Sequence, residues 1–398
     1  MKNHVSIIGA GINGLLTAFY IANYHPELNI TIYEADSHPV DNKDNKGTTL
    51  GSKDARHVTG SESICFESSV HHEALRNHPN SVNPGWLLKG EKDLSPDELD
   101  WRDKFEKLYT HKSEINDLDY AHARLNYRGL EGWHNLANEY PEINKHFLSK
   151  DFVEVYFESE DSFLDDIKME KDFCSKYYPD QSVRQANNPK LKNTYESHLL
   201  VPGMSLRVKS LALSLIKILE SKPQVDFHWN RIIENTTGLK SNVIIWTVGS
   251  THKQPAQYQE QHIQGIVGCW ATIKNPGYTK PFKIASPVPS AYINLTPDAG
   301  SLHVSGGFGW LGNCTDRSEV ERLSEPVAKH LIDQIQKFLD VKVGLSDIEY
   351  CIRPSTPNGL PLMKAENRGD KKHIYISGSS KSGTTHAPIL SQFVLDQI

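Results

Sequence analysis

Cysteine is scarce and scattered. The 398 residues hold five, Cys65, Cys174, Cys269, Cys314 and Cys351, with no C-x-x-C pair among them. That pattern excludes a disulfide framework and predicts reduced thiols in a cytoplasmic compartment. Long hydrophobic runs are missing too. The first apolar stretch is broken by Gly9, Gly11, Asn13 and Gly14, so it reads neither as a signal peptide nor as a membrane span. Positive charge is not in excess. Acidic residues number 49 against 43 Lys and Arg, a net charge of −6, which removes the bulk electrostatic case for nucleic acid or an anionic membrane. The H-E-x-x-H and G-x-S-x-G signatures do not occur. His71, His72, Glu73 and His78 lack metal-ligand spacing and read as a solvated loop, so no metal is expected.

What is present begins at residue 5. Val5-Ser6-Ile7-Ile8 reads as a strand, Gly9-Ala10-Gly11-Ile12-Asn13-Gly14 as a glycine turn, and Leu15, Leu16, Phe19 and Tyr20 as a helix face. A second strand, Ile30-Thr31-Ile32-Tyr33, ends at Glu34, 20 residues after Gly14. Each glycine has a physical task in a dinucleotide site. The first makes the turn, the second lets backbone approach a pyrophosphate, and the third lets helix pack on sheet. The helix N-terminus aims free N–H groups and a positive dipole end at the phosphates. The carboxylate of Glu34 is placed to accept bonds from a ribose.

A hydrophobic content of 38% and a mean hydropathy of −0.51 describe a soluble protein with much polar surface. The length allows two or three domains, or one large α/β body with an inserted domain. Residues 37–63 read as a long polar loop. Residues 91–120 read as charged helix with one buried stripe, and 128–150 as another amphipathic helix. Residues 151–172 read as a strand and a surface segment. Leu199 to Gly203 leads into a helix of Leu206, Val208, Leu211, Ala212, Leu215, Ile218 and Leu219. Strands are predicted at 225–229, 242–248, 292–295, 302–305 and 374–377, and a helix carries Val327, Leu331, Ile335 and Leu339. The chain closes with Gly378-Ser379-Ser380-Lys381-Ser382-Gly383-Thr384 and a helix from Pro388, where a first-turn proline sacrifices no hydrogen bond. Gly378 and Gly383 have P-loop spacing, but Thr384 stands where the lysine belongs.

Five ordered segments together resemble the D-amino acid oxidase-like family of flavoproteins, which includes glycine oxidase, sarcosine oxidase and the small subunits of D-amino acid dehydrogenases. They are the opening motif with Glu34, the loop Gly51 to His57, the block Pro202 to Ser250, Leu302 to Gly307, and Ile352-Arg353-Pro354-Ser355-Thr356-Pro357-Asn358-Gly359-Leu360-Pro361 joined to Ile374–Pro388. Residues 60–198 match weakly. The chain has Thr247-Val248-Gly249 in place of the family's usual small-residue run, with the bulky Trp246 before it, and it carries His386 where apolar residues are common.

The resemblance implies an α/β protein. A Rossmann-like FAD-binding domain would be built from discontinuous segments, 1–75, 199–260 and 350–398. A second, α+β substrate domain with an antiparallel sheet would take 76–198 and 261–349. It implies oxidation of a C–N bond in an amino acid or amine by hydride transfer to flavin N5, giving an imine that hydrolyses. FAD is expected to be non-covalent, although one branch of the family links flavin to a cysteine and Cys314 follows a strand.

Arg353 matches the position that binds a substrate carboxylate, a task suited to a planar guanidinium; a structural ion pair is the alternative. Tyr292 lies on a strand that can face substrate, or it is a core tyrosine. Lys381 is placed to touch flavin or substrate, or solvent. Expected cofactor contacts are Gly9, Gly11, Ile12, Asn13, Gly14 and Glu34 at the start. Ser52, Arg56 and His57 follow in the loop, then Val248 and Gly249 by backbone, then Gly378, Ser382, Gly383 and Thr384 at the end. Lys274, Lys280 and Lys283 are candidate promoters of reaction with O2, the acceptor being O2 or another species. The alternatives are an NAD-dependent dehydrogenase and a non-catalytic flavin-bound interaction protein, the latter suggested by the charged helical region. The sequence leaves the oligomeric state open.

Overall fold

Strand β1 (His4–Ile8) is buried on both faces, as its Val and Ile residues require, and it lies in the middle of a six-stranded sheet. A computed structural model of the chain describes residues 4–40, 49–50, 56–61, 74–82, 85–108, 112–178, 180–187, 191, 193–250, 262–286, 291–314 and 316–398. The chain leaves β1 through the glycine turn into helix α1 (Ile12–Tyr24) and returns as β2 (Asn29–Tyr33), parallel to β1 with Ile7 opposite Ile32. On the other flank β1 pairs in parallel with β9 (Val243–Trp246), and β9 with β16 (Lys371–Ser377). β8 (Val225–His228) extends the β2 edge, and β15 (Leu362–Arg368) adds an antiparallel edge, giving the order β15-β16-β9-β1-β2-β8. The first and last parts of the chain therefore meet in one sheet.

The second sheet has ten strands. Its path runs β14 (Ile348–Ser355), β10 (Gln264–Lys274), β13 (Ser301–Gly312), β12 (Ala291–Asp298), β11 (Phe282–Ser286), β5 (Phe152–Phe157), β7 (Ser197–Leu206) and β3 (Arg56–Thr59). The short β4 (Phe147–Ser149) and β6 (Arg184–Asn187) pair with β7. Most of its pairings are antiparallel. Its core lies against a helix of Arg317–Leu339, whose Val327, Leu331 and Ile335 share one buried cluster with Val267, Leu295 and Val304 of the sheet.

Three helical expectations change. The segment after β5 is not merely surface. It is the helix Glu160–Tyr177, opened by a Ser159/Ser162 capping box and burying Phe163, Phe173 and Cys174. Leu206 ends strand β7, and the next helix runs Val208–Glu220. The closing helix starts at Gly383, not Pro388, and runs to Leu395 with Pro388 inside it.

An interior proline removes one helical donor, which leaves the carbonyl four residues back unpaired. That carbonyl belongs to Thr384, and Trp133 Nε1 donates to it at 2.8 Å. Trp133 sits on the long helix Lys112–Glu139 from the charged region, which presses on the closing helix through Gly129 and Gly132. A Cβ on Gly129 would lie 2.0 Å from Thr385 O, and one on Gly132 would lie 2.6 Å from Pro388 Cβ. The charged region thus buttresses the C-terminal helix.

The departure at Trp246 is structural. Its ring is fully buried, stacks on Tyr375 and donates Nε1 to His373 Nδ1 at 3.1 Å. His386 is also buried, and its Nε2 meets Asn126 Oδ1 at 2.8 Å.

Candidate active site

A long cleft runs over the carboxyl ends of β1, β9 and β16, the place where open α/β sheets bind ligands, and the second sheet roofs it. Its floor starts at the glycine turn. Gly9 has φ +108°, and its N–H donates to Tyr33 O at 2.8 Å. A Cβ there would also meet Thr247 Oγ1 at 2.9 Å, so glycine is required twice over. Gly14 does not line the cleft; a Cβ on it would stand 2.0 Å from Gly9 O, which makes it the helix-packing glycine. Thr247 Oγ1 donates toward Ile8 O and Gly9 O at 3.0 and 2.8 Å and ties β9 to the turn.

Gly11, Ile12 and Asn13 line the cleft at the start of α1. Ile12 N–H donates to Thr49 Oγ1 at 3.0 Å. The side-chain oxygen of Asn13 is buried with no hydrogen-bond partner. Glu34 also lines the cleft, and its carboxylate accepts from Ala10 N at 2.6 Å and from Asp36 N at 3.0 Å. Arg231 lies beside it, its own N–H donating to Glu34 O at 2.7 Å.

At the other end of the floor the C-terminal turn lines the same cleft with Gly378, Lys381, Gly383 and Thr384. Gly378 has φ +76°, and a Cβ on it would press 2.7 Å from Thr356 Cγ2. Ser382 is buried and does not line the cleft; its N–H donates to Ser379 O at 2.9 Å. Val248 and Gly249 lie between the two turns. Cβ positions on Gly249 and Gly383 meet nothing within 4 Å, and one on Gly11 meets only Thr49 Oγ1 at 3.6 Å. Ser52 falls outside the described residues, as does Cys65.

The roof is a cross-strand row. Lys283 on β11 stands opposite Asn294 on β12, Asn294 opposite Ser305 on β13, and Ser305 opposite Trp270 on β10. All four line the cleft. Arg56 also lines it, with its guanidinium 4.4 Å from the Trp270 ring centroid. His57 follows, with Nδ1 2.7 Å from Ser205 Oγ.

Arg353 reaches the roof from β14. Its Nη2 donates to Gly307 O on β13 at 3.0 Å, and the guanidinium passes over Gly268 of the intervening β10. No carboxylate pairs with it among the described residues, so the structural ion pair is not what holds it. Tyr292 lines the cleft and donates its hydroxyl to Asp166 Oδ2 at 3.0 Å. Burial pushes the Asp166 carboxyl up to about 6, against the pull of that hydrogen bond. Of the three candidate lysines only Lys283 lines the cleft; Lys274 and Lys280 do not. Cys314 is buried and does not line it, and desolvation raises its thiol to about 11.

Sequence reading missed Thr49, Arg231, Trp270, Asn294 and Ser305 among the lining residues. Thr49 carried a signal, a hydroxyl in the Gly47–Gly51 loop. The roof residues carried none, because strand register alone aligns them. Among the described residues no cluster could hold a metal ion, and no helix is long and apolar enough to cross a membrane.

A model of one protein family, described as DAO, FAD dependent oxidoreductase, matches residues 4–397. Among solved structures the chain is similar to glycine oxidase from Geobacillus kaustophilus, with 14% identity and a TM-score of 0.62 over 99% of this chain and 94% of that one. It is similar to fructosyl amine:oxygen oxidoreductase (Amadoriase I) from Aspergillus fumigatus, with 13% identity and a TM-score of 0.61 over 99% and 86%. It is also similar to L-alpha-glycerophosphate oxidase from Mycoplasma pneumoniae, a structure with FAD bound, with 12% identity and a TM-score of 0.56 over 99% and 94%. No curated protein sequence matches. Likeness at these identities establishes the fold.

Proposed function

Since this chain belongs to the DAO family of FAD-dependent oxidoreductases, we propose that it oxidises the C–N bond of an amino acid or amine that carries a carboxylate. The observation that carries this reading is Arg353, a guanidinium held at the cleft roof by a backbone carbonyl rather than by an acid. With one N–H given to Gly307 O, its remaining donors are available to a carboxylate.

The cleft fits FAD. Gly11, Gly249 and Gly383 leave open space where a side chain would stand, and the buried side-chain oxygen of Asn13 lacks a partner at the start of α1. Ile12, Asn13, Thr49 and Gly11 would hold the pyrophosphate, Glu34 the ribose, and Val248 with Gly249 the middle of the cofactor. Arg56, His57, Gly378, Gly383 and Thr384 would flank the ring, with Gly14 and Ser382 supporting from behind and Ser52 in the loop. When bound, FAD supplies the two-electron acceptor for the carbon that bears nitrogen.

The chain's own residues do the rest. Arg353 anchors the carboxylate and so fixes where the neighbouring carbon lies, which makes the reaction effectively intramolecular. Tyr292 donates a hydroxyl hydrogen bond to Asp166, which fixes the phenol at the wall of the cleft where substrate would lie. A substrate bound as the neutral amine needs no strong base. Lys381 adds positive charge at the turn where electron density arrives, aided by the N-terminus of the closing helix. Segments 1–75, 199–260 and 350–398 form the cofactor domain in this reading. β3, β7 and β14 then lend their strands to the sheet of the substrate domain, 76–198 and 261–349.

The test is steady-state turnover of a panel of amino acids and amines by the FAD-loaded protein, with peroxide formation measured to separate O2 from another acceptor. Arg353→Met should abolish saturation by carboxylate-bearing substrates. Turnover of none of them, with FAD bound, would return the chain to a non-catalytic role.

A further inference from the structure

We propose that His122 and Asn126, together with His386, are positioning residues for the flavin: they fix the two C-terminal segments that face its ring and so set how readily the bound cofactor accepts electrons. This rests on the FAD reading above and adds to it residues that lie outside the cleft.

The long helix Lys112–Glu139 carries His122, Asn126, Gly129 and Trp133 at spacings of four, three and four, which lines them along one stripe. Every rung of that stripe meets C-terminal chain. His122 Nε2 donates to Asn358 O at 3.1 Å, Asn126 Oδ1 meets His386 Nε2 at 2.8 Å, Gly129 lies against Thr385 O, and Trp133 Nε1 donates to Thr384 O at 2.8 Å. Both segments reached in this way border the cleft. Thr384 lines it directly, in the first turn of the closing helix. Asn358 belongs to the turn 356–360, whose Thr356 N–H donates to Gly378 O at 3.1 Å, and Gly378 lines the cleft.

The directions of these bonds are determined. Asn126 Nδ2 donates to Gly60 O at 2.9 Å, so Oδ1 is its accepting side and His386 Nε2 carries the proton. The Asn358 carbonyl likewise requires a proton on His122 Nε2. Each ring then keeps a bare Nδ1, and in both that atom is buried with no hydrogen-bond partner. Burial holds both rings neutral, at about 4 for His122 and about 3 for His386. Lys381 adds to the penalty on a charged His122, which puts that ring close behind the ring-side turn.

Two buried imidazoles with an unpaired acceptor apiece cost stability that apolar side chains would not. What they supply is position. Apolar surfaces tolerate sliding, whereas a ladder of directional bonds holds one register. Register matters here, because the pull of a helix N-terminus on nearby negative charge falls off within one turn. A closing helix held in place therefore favours the electron density of the reduced ring.

The test uses the full chain loaded with FAD. The midpoint potential of the bound flavin is read by slow reduction beside a dye of known potential. The wild type is compared with His122→Leu and His386→Leu, which remove the donor, and with His122→Gln and His386→Gln, which keep an N–H near the place of Nε2. The proposal expects each leucine variant to disfavour reduced flavin at least tenfold, a fall of about 30 mV for a two-electron couple. Each glutamine variant should stay within threefold of the wild type. A purely structural role would lower the melting temperature and leave the potential where it was. Should a leucine variant shed FAD, its glutamine counterpart should keep it; shedding by both overturns the proposal. An unchanged or raised potential in the leucine variants, or a fall that glutamine does not restore, overturns it too. Amine oxidation with the potential unmoved in every variant sinks this inference alone. The expected pattern of potentials, with no amine reducing FAD, supports the ladder and overturns only the amine reading. A wild type that takes up no FAD overturns both.

Discussion

The guanidinium of Arg353 lies so close over Gly268 that a methyl group on Gly268 would stand 1.7 Å from Nη2. Glycine at that point of β10 is therefore the condition for the arginine to cross the strand and reach Gly307. Gly268→Ala should leave the fold intact, because the group that must move is the far end of a flexible side chain. It should raise KM for carboxylate-bearing substrates about tenfold, the equivalent of roughly 1.4 kcal/mol, with a smaller change in kcat. Steady-state kinetics beside a thermal melt checks this; an unchanged KM would mean that Arg353 does not hold substrate.

Gly14 is the opposite case, since a Cβ would stand 2.0 Å from the rigid backbone oxygen of Gly9. Gly14→Ala should cost about 1–3 kcal/mol of stability by overpacking and release FAD. Denaturant unfolding and the ratio of flavin to protein absorbance read both effects.

Trp133 Nε1 supplies the donor that Pro388 withholds from Thr384 O. Trp133→Phe should orphan that buried carbonyl and cost about 1–3 kcal/mol. Pro388→Ala restores a backbone N–H at the same place, so the double variant should lose less than Trp133→Phe alone. A double-mutant cycle measures the coupling; strict additivity would contradict the pairing.

His122 and His386 are held below the ordinary histidine range, at about 4 and about 3, chiefly because burial penalises the imidazolium. In the unfolded chain each takes up a proton near pH 6.5. Protons therefore favour the unfolded state below that pH, and the stability contributed by the two neutral rings is lost as pH falls from about 6.5 toward 4. Melting temperature against pH should drop over that window, and His386→Gln should drop less. Asp166 works the other way: its carboxyl titrates at about 6 when folded, so its contribution is lost as pH rises toward 6. Asp166→Asn should remove that opposing slope.

Local features of this fold were legible where one side-chain pattern forces one structure. Gly9, Gly11 and Gly14 with Glu34 gave the turn, the helix and the parallel pair, and the folded chain has them there. The apolar Val243–Trp246 run gave a strand buried in a parallel sheet. What stayed illegible depends on distant partners. Pro388 at a helix start satisfies local chemistry, and only Trp133, brought in by a helix over 250 residues earlier in sequence, lets it stand inside one. The roof row of Lys283, Asn294, Ser305 and Trp270 exists through register across four strands, which no local pattern states. Gly268 looked like any strand glycine until Arg353 was seen to cross it.

The central claim is that both chain ends grip one flavin and that the roof presents an amine to it. Purified protein, reconstituted with FAD and made anaerobic, should show the visible bands of oxidised flavin. These should bleach on addition of a carboxylate-bearing amine and return when an electron acceptor is admitted. A protein that takes up no FAD, or one whose bound FAD keeps its colour with every amine offered, would contradict the account.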